Sequence, residues 1–170
     1  MDNEWLKGIA ATCESAKAAD HDYEFEWYAC DAAGNIGVFL TGGDGPVPRE
    51  VFADKDGFLA SAAFLRFVAS AVNTDADPDP RLSGFTGQLK ADLDEYVKRG
   101  LVCFEYAGTA VNGVYRVLFR PRCRLMLGNC SERVRTYIQK IQLVDANFAD
   151  SDTVDPQKKM DNGDRLRIRT

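Results

Sequence analysis

The apolar positions of the chain change period several times, and each change predicts an element. From Glu4 to Ala19, Trp5, Ile9, Cys13 and Ala16 recur at helical spacing, which predicts a short helix lying on a sheet. YEFEWYAC then alternates strictly, with Tyr23, Phe25, Trp27 and Ala29 on one strand face and Glu24 and Glu26 on the other. NIGVFL repeats the alternation. Between them lies DAAG, whose Gly34 can take positive φ, so the two runs are predicted to form a hairpin. TGGDGPVP, from Thr41 to Pro48, has five Gly or Pro residues in eight and predicts an irregular loop.

Phe58 to Val72 is apolar on nearly every side, interrupted only by Arg66, and predicts a helix buried in the middle of the domain. Phe64, Leu65 and Phe67 are expected to be almost wholly buried, with a cost of about 3 to 5 kcal/mol for Phe67→Ala. NTDADPDP ends this helix in an exposed acidic loop. Leu89, Leu93, Tyr96 and Val97 form the stripe of a third helix, supported by Asp94 to Lys98 and Glu95 to Arg99 pairs and stopped at Gly100. LVCFEY and VYRVLFR predict a second hairpin, SERVRTYIQKI a helix, IQLVDA an extended segment, and RLRIR a C-terminal strand. The expectation is one α+β domain over residues 1–170, with a largely antiparallel sheet of two hairpins and a C-terminal strand packed with three or four helices.

Composition narrows the class. The 170 residues are 45% hydrophobic and 11% aromatic, enough for an unstapled core. No apolar run approaches the roughly 20 residues of a membrane span. MDNEWLKGIA lacks the basic and apolar stretches of a signal peptide, so a cytoplasmic location is expected. Cys13, Cys30, Cys103, Cys123 and Cys130 are odd in number and contain no C-x-x-C pair, which points to reduced thiols packed mostly as small hydrophobes. The net charge of -5 is uneven: residues 1–80 hold 15 acids and 5 bases, residues 81–170 hold 11 acids and 16 bases. Either the two halves pair within the fold, or one face is kept for a charged partner.

Little of the sequence carries chemistry. The single histidine, His21, excludes a multi-histidine metal centre, and no nucleophile motif accompanies it. TGGDGPVP lacks the Lys-Ser/Thr of a phosphate loop. ADKDG and DADPDP look like calcium loops, but Phe52, Pro80 and Thr86 stand where an acid, a glycine and a glutamate are required. No metal, cofactor or catalytic residue is expected, although two of the 26 acids could still form a carboxylate site. Arginine recurs at period two: Arg116 and Arg120 share a face with Leu118, Arg122 and Arg124 continue the spacing, and Arg165, Arg167 and Arg169 form a second stripe. These could contact phosphates beside Tyr115 or Phe119. The favoured expectation is a solvated sheet face on which Glu24 or Glu26 lies within salt-bridge reach of Arg116, Arg120, Arg165 or Arg167.

WYACDAAGNIGVFLTGGDGPVP resembles the W-x-x-x-D-x-x-G-x-x-x-x-F-x-x-x-G-x-G-x-x-P opening of a family of bacterial proteins that look like immunity proteins of polymorphic toxin systems. The matching positions are Trp27, Asp31, Gly34, Phe39, Gly42, Gly43, Gly45, Pro46 and Pro48, and GLVCFEY, YRVLFRP and IQLVDANFAD are similar to the second half of such proteins. The resemblance spans about Tyr23 to Asp150. It implies a cytoplasmic, stoichiometric inhibitor of a cognate toxin. With the acidic composition, it makes a non-catalytic protein-binding module the leading expectation, with Asp44, Asp75, Asp77 and Asp79 as candidate partner-binding residues. The alternatives are a nucleic-acid-binding protein using the arginine strands and an enzyme with an unrecognised carboxylate site.

Overall fold

The two hairpins form, and they meet side by side in one sheet. The structure is a computed structural model describing residues 3–17, 24–67, 84–108 and 113–156. Its elements are α1 (Asn3–Lys17), β1 (Glu26–Asp31), β2 (Ile36–Leu40), α2 (Lys55–Phe67), α3 (Gly87–Lys98), β3 (Val102–Tyr106), β4 (Tyr115–Phe119), α4 (Glu132–Lys140), β5 (Gln142–Leu143) and β6 (Thr153–Val154). The strand order is β5-β1-β2-β3-β4-β6. The α+β class is as expected, but the sheet is mixed. β1·β2, β3·β4 and β4·β6 run antiparallel, whereas β2·β3 and β1·β5 run parallel. The parallel join follows from connectivity: the segment containing α2 and α3 carries the chain back to the end of the sheet where β2 began, so β3 must run the same way. The predicted strand at 165–169 and the acidic loop with Asp75, Asp77 and Asp79 lie outside the described residues, as does His21.

Over β1 and β2 both faces of the sheet are covered, which the alternation in β1 conceals. On one face Trp27 stacks on Phe39 at 4.2 Å and Phe39 on Phe104 at 4.8 Å. These rings are register partners across β1, β2 and β3, so the stack follows from the pairing. Phe148 closes over it, and Tyr115 meets Trp27 and Phe39 edge-on. On the other face lie the helices: Tyr28 packs by Phe58 of α2, and the Cys30 thiol points to the Ile138 carbonyl of α4. Four of the five cysteines are buried thiols, and Cys123 is exposed. Among the described residues no helix is long and apolar enough to cross a membrane.

The Gly/Pro loop is positioned by a chain of hydrogen bonds. Trp27 Nε1 donates to Tyr115 Oη at 3.2 Å, and that hydroxyl donates to the Pro46 carbonyl at 3.1 Å. Gly45 lies so close that a Cβ there would stand 2.5 Å from the Tyr115 hydroxyl. Asp54, one of the acids that looked like a calcium ligand, caps α2 instead: its Oδ1 accepts from Gly57 N at 2.8 Å, and its Oδ2 meets Lys140 Nζ at 3.2 Å. Asp54–Lys140 and Asp56–Arg133 join the acidic first half of the chain to the basic second half.

Helix α2 is amphipathic and not buried all round. Phe58, Ala62 and Leu65 form its core stripe and Phe64 is half-buried, but Phe67 is 49% exposed, held edge-on against Trp5 of α1 at 5.2 Å. The expectation of a large Phe67 effect is therefore overturned. Phe67→Ala should cost under about 1.5 kcal/mol, since half the ring is already in water, while Phe58→Ala should cost about 3 to 5 kcal/mol. Urea denaturation of both variants checks this ordering, and equal losses would refute it.

Candidate functional site

Glu24 and Glu26 do not stand on an open sheet face. They line a cleft of about 320 Å³ between the start of β1 and helices α1, α2 and α3, together with Tyr28, Asp92, Glu95, Tyr96, Arg66 and Arg99 over an apolar floor that includes Phe25, Phe58, Leu65 and Leu101. The β alternation places Glu24, Glu26 and Tyr28 on the helix side. Glu26 is clamped: Tyr28 Oη donates to its Oε1 at 2.6 Å, and Tyr96 Oη donates to its Oε2. Burial pushes both phenols well above the usual tyrosine range, and the Glu26 charge adds to it, so both remain neutral donors.

Glu24 stands at the rim with no donor on its carboxylate among the described residues. Its pKa is raised, first by desolvation and then by the negative charges of Glu26, Glu105 and Asp92. By area the side chain is exposed, so solvent screens much of this. The sign is still definite. A carboxyl with a raised folded pKa burdens the fold once it ionises; below the ordinary value of 4.5 both states are protonated and the burden is absent. Glu24→Gln should therefore leave stability unchanged or raised at neutral pH, the difference from wild type closing as pH falls below 4.5. A variant less stable than wild type at neutral pH would contradict this.

Two arginines reach the cleft. Arg99, only 9% exposed, donates from Nη2 to Glu95 at 3.0 Å, while its Nε is buried with no hydrogen-bond partner among the described residues. Glu95 also accepts from Lys98 at 2.8 Å, and these two cations, Lys98 first, pull its carboxyl below the usual range. Asp94 pairs with Lys90, where Lys98 was expected. The Arg66 guanidinium lies 5.2 Å over the Trp5 ring. Four carboxylates thus line the cleft against two guanidiniums. Among the described residues no three His, Cys, Asp or Glu side chains are grouped as metal ligands.

Among the described residues, Glu24 and Glu26 form no ion pair with Arg116 or Arg120. β2 and β3 separate β1 from β4, about 14 Å at three strand spacings, and Glu105 stands directly opposite Arg116 and pairs with it at 3.3 Å. Arg116 and Arg120 also do not act as one stripe. The register shifts between Cys103 and Phe104, giving β4 an extra residue that breaks the period-two alternation. Arg120 instead donates to the carbonyls of Phe148 and Ser151 and meets Asp152 at 3.4 Å, and Arg124 Nε donates to Asn35 Oδ1 at 3.0 Å. Arg165, Arg167 and Arg169 lie outside the described residues. Asp44 is exposed on its loop and is not part of the cleft lining.

The sequence reading missed Tyr96, Arg99 and Asp92 as site residues. Tyr28 was the available hint, an aromatic on the same strand face as two glutamates and hence a sign that the face is covered. No protein-family model, curated protein or solved structure matches the chain.

Proposed function

We propose that the protein acts by binding a basic protein partner, as a non-catalytic, stoichiometric inhibitor of the immunity type in the bacterial cytoplasm, and that the acidic cleft is part of the surface it uses. One observation carries this reading: an open cleft in which Glu24 has no donor among the described residues and Glu26 is met by neutral phenols. Such a cleft projects a negative potential that favours a cationic surface and speeds its approach. The first-hairpin resemblance supports the same class, with its motif residues shaping the scaffold: Trp27, Gly45 and Pro46 belong to the chain that holds the Gly/Pro loop. The test is to recover the partner by cross-linking in the native host and measure the complex with purified components. The expected result is a basic protein in a 1:1 complex whose dissociation constant rises with ionic strength. An acidic partner, or affinity indifferent to salt, would overturn the reading.

A second reading has one observation in its favour, the raised Glu24 carboxyl beside Glu26, an arrangement that general acid–base chemistry uses. It ranks lower because both Glu26 oxygens already accept from phenols, so neither is uncommitted for a substrate proton.

A further inference from the structure

Helix α1 is the least deeply seated of the four helices. Among the described residues, α2 buries Phe58, Ala62 and Leu65, α3 buries Leu93, Tyr96 and Val97, and α4 buries Val134, Tyr137 and Ile138, whereas α1 buries Cys13 alone. Trp5, Ile9 and Ala16 pack on the core only in part. The ties from α1 to α2 are of kinds that contribute little near water. Trp5 meets Phe67 edge-on at 5.2 Å with about half of that phenylalanine exposed, and Arg66 lies 5.2 Å over the same Trp5 ring. Lys55 Nζ pairs with Glu14 Oε1 at 2.7 Å, both side chains about half in water. Thr12 Oγ1 and Lys7 Nζ bond within the helix, to the Gly8 carbonyl and to Glu4. A helix makes its backbone hydrogen bonds to itself, so leaving the body costs α1 these side-chain contacts and no strand pairing.

We propose that α1 is a detachable wall of the cleft, lifting from α2 as one unit while the sheet and the other three helices stay folded. Ile9 and Thr12 belong to that wall, so each opening widens the cleft and brings Cys13 to solvent. A helix of 15 residues is marginal alone in water, so α1 loses its helical bonds as it lifts. One opening is then visible in two places, at the α1 amides and at the Cys13 thiol. In the docked form burial first, and the Glu14 charge next, raise the Cys13 thiol above its ordinary value, so it stays protonated and unreactive until α1 lifts. Access to the cleft is thereby set by α1, whatever the cleft binds.

The test labels the full chain with a thiol reagent under native conditions and resolves each cysteine by mass spectrometry, beside hydrogen exchange of the backbone amides. Cys30 and Cys103, wholly buried in β1 and β3, report global unfolding. Cys13 should be open at least about tenfold more often than either, with a shallower dependence on urea, and the α1 amides should open as often as its thiol. Trp5→Ala should raise Cys13 labelling by about threefold to tenfold. Phe148→Ala, on the aromatic face away from the helices, weakens the docked and lifted forms alike. It should therefore speed Cys30 and Cys103 by about a hundredfold or more and leave Cys13 within about twofold of wild type. One rate and one urea dependence for all three thiols overturns the proposal, as does Phe148→Ala speeding all three together or Trp5→Ala leaving Cys13 unchanged. So does a Cys13 that labels while the α1 amides stay protected, since the thiol would then be reached with the helix in place. Every readout is on the free chain, so failure here leaves the protein-binding reading to be decided by the complex measurement.

Discussion

Gly100→Ala should destabilise the fold by about 3 kcal/mol or more, while the same change at Gly42, also at positive φ, should cost only about 1 to 2 kcal/mol. Gly100 ends α3 in a Schellman arrangement: Leu101 N donates to the Tyr96 carbonyl and Gly100 N to the Val97 carbonyl, both at 3.0 Å, with Gly100 at φ +75°. Left-handed backbone strain is the first penalty and is shared with Gly42, at φ +57°. The second penalty belongs to Gly100 alone. A Cβ there would stand 2.7 Å from Leu125 N and 2.9 Å from the Cys123 carbonyl, whereas at Gly42 nothing lies within 4 Å. The obstructing atoms are backbone, and Leu125 N is bonded to the Gly100 carbonyl at 2.8 Å, so relief requires moving the strand-to-helix connection after β4. Urea denaturation of the two variants decides it. Equal losses would show that the close approach relaxes freely and that only the φ angle matters.

That glycine shows what a sequence exposes and what it withholds. Its role as a helix stop is local and follows the end of a helical stripe, so it could be read directly. Its contact with residues 123–125 depends on how two distant segments pass each other. The same division runs through the fold. Both hairpins, the stripes of Leu93, Tyr96 and Val97, and the helix containing Tyr137 and Ile138 were legible because period and turn chemistry act over a few residues. Strand order was not, because β2 and β3 are separated by the segment containing two helices and nothing in either strand names its partner. That missing order misplaced Glu24 and Glu26 opposite arginines that lie across two intervening strands. It also hid the cleft, since Tyr96 reaches Glu26 from 70 residues away. β2, Ile36 to Leu40, is apolar or glycine at every position and fully buried, as a strand covered on both faces is, and its reading as an alternating run hid that cover.

Asp31→Ala should cost about 3 to 5 kcal/mol, because it strands three buried donors. Asp31 is fully buried at the end of β1, and its carboxylate gathers two segments. Oδ1 accepts from Asn35 N; Oδ2 accepts from Asn35 Nδ2 and from Phe148 N, each at 2.8 Å. The first two bonds shape the β1–β2 turn, and Asn35 passes the connection to Arg124. The third ties down the segment after β5 and sets Phe148 over Phe39 and Phe104. Removing the carboxylate leaves three donors without an acceptor in a site closed to water, each costing about 1 to 3 kcal/mol before the structure relaxes. Asp31→Asn keeps the shape and one acceptor oxygen but turns an amide toward a donor, so its loss should be smaller and should fall on one of the two segments. Hydrogen exchange locates the damage: in Asp31→Ala the Phe148 amide should lose protection more than those of β3, because the tether fails before the sheet does. Were Phe148 to stay as protected as in wild type while global stability fell, the carboxylate would be serving the turn alone. The aspartate of the W-x-x-x-D pattern would then have no part in closing the aromatic face.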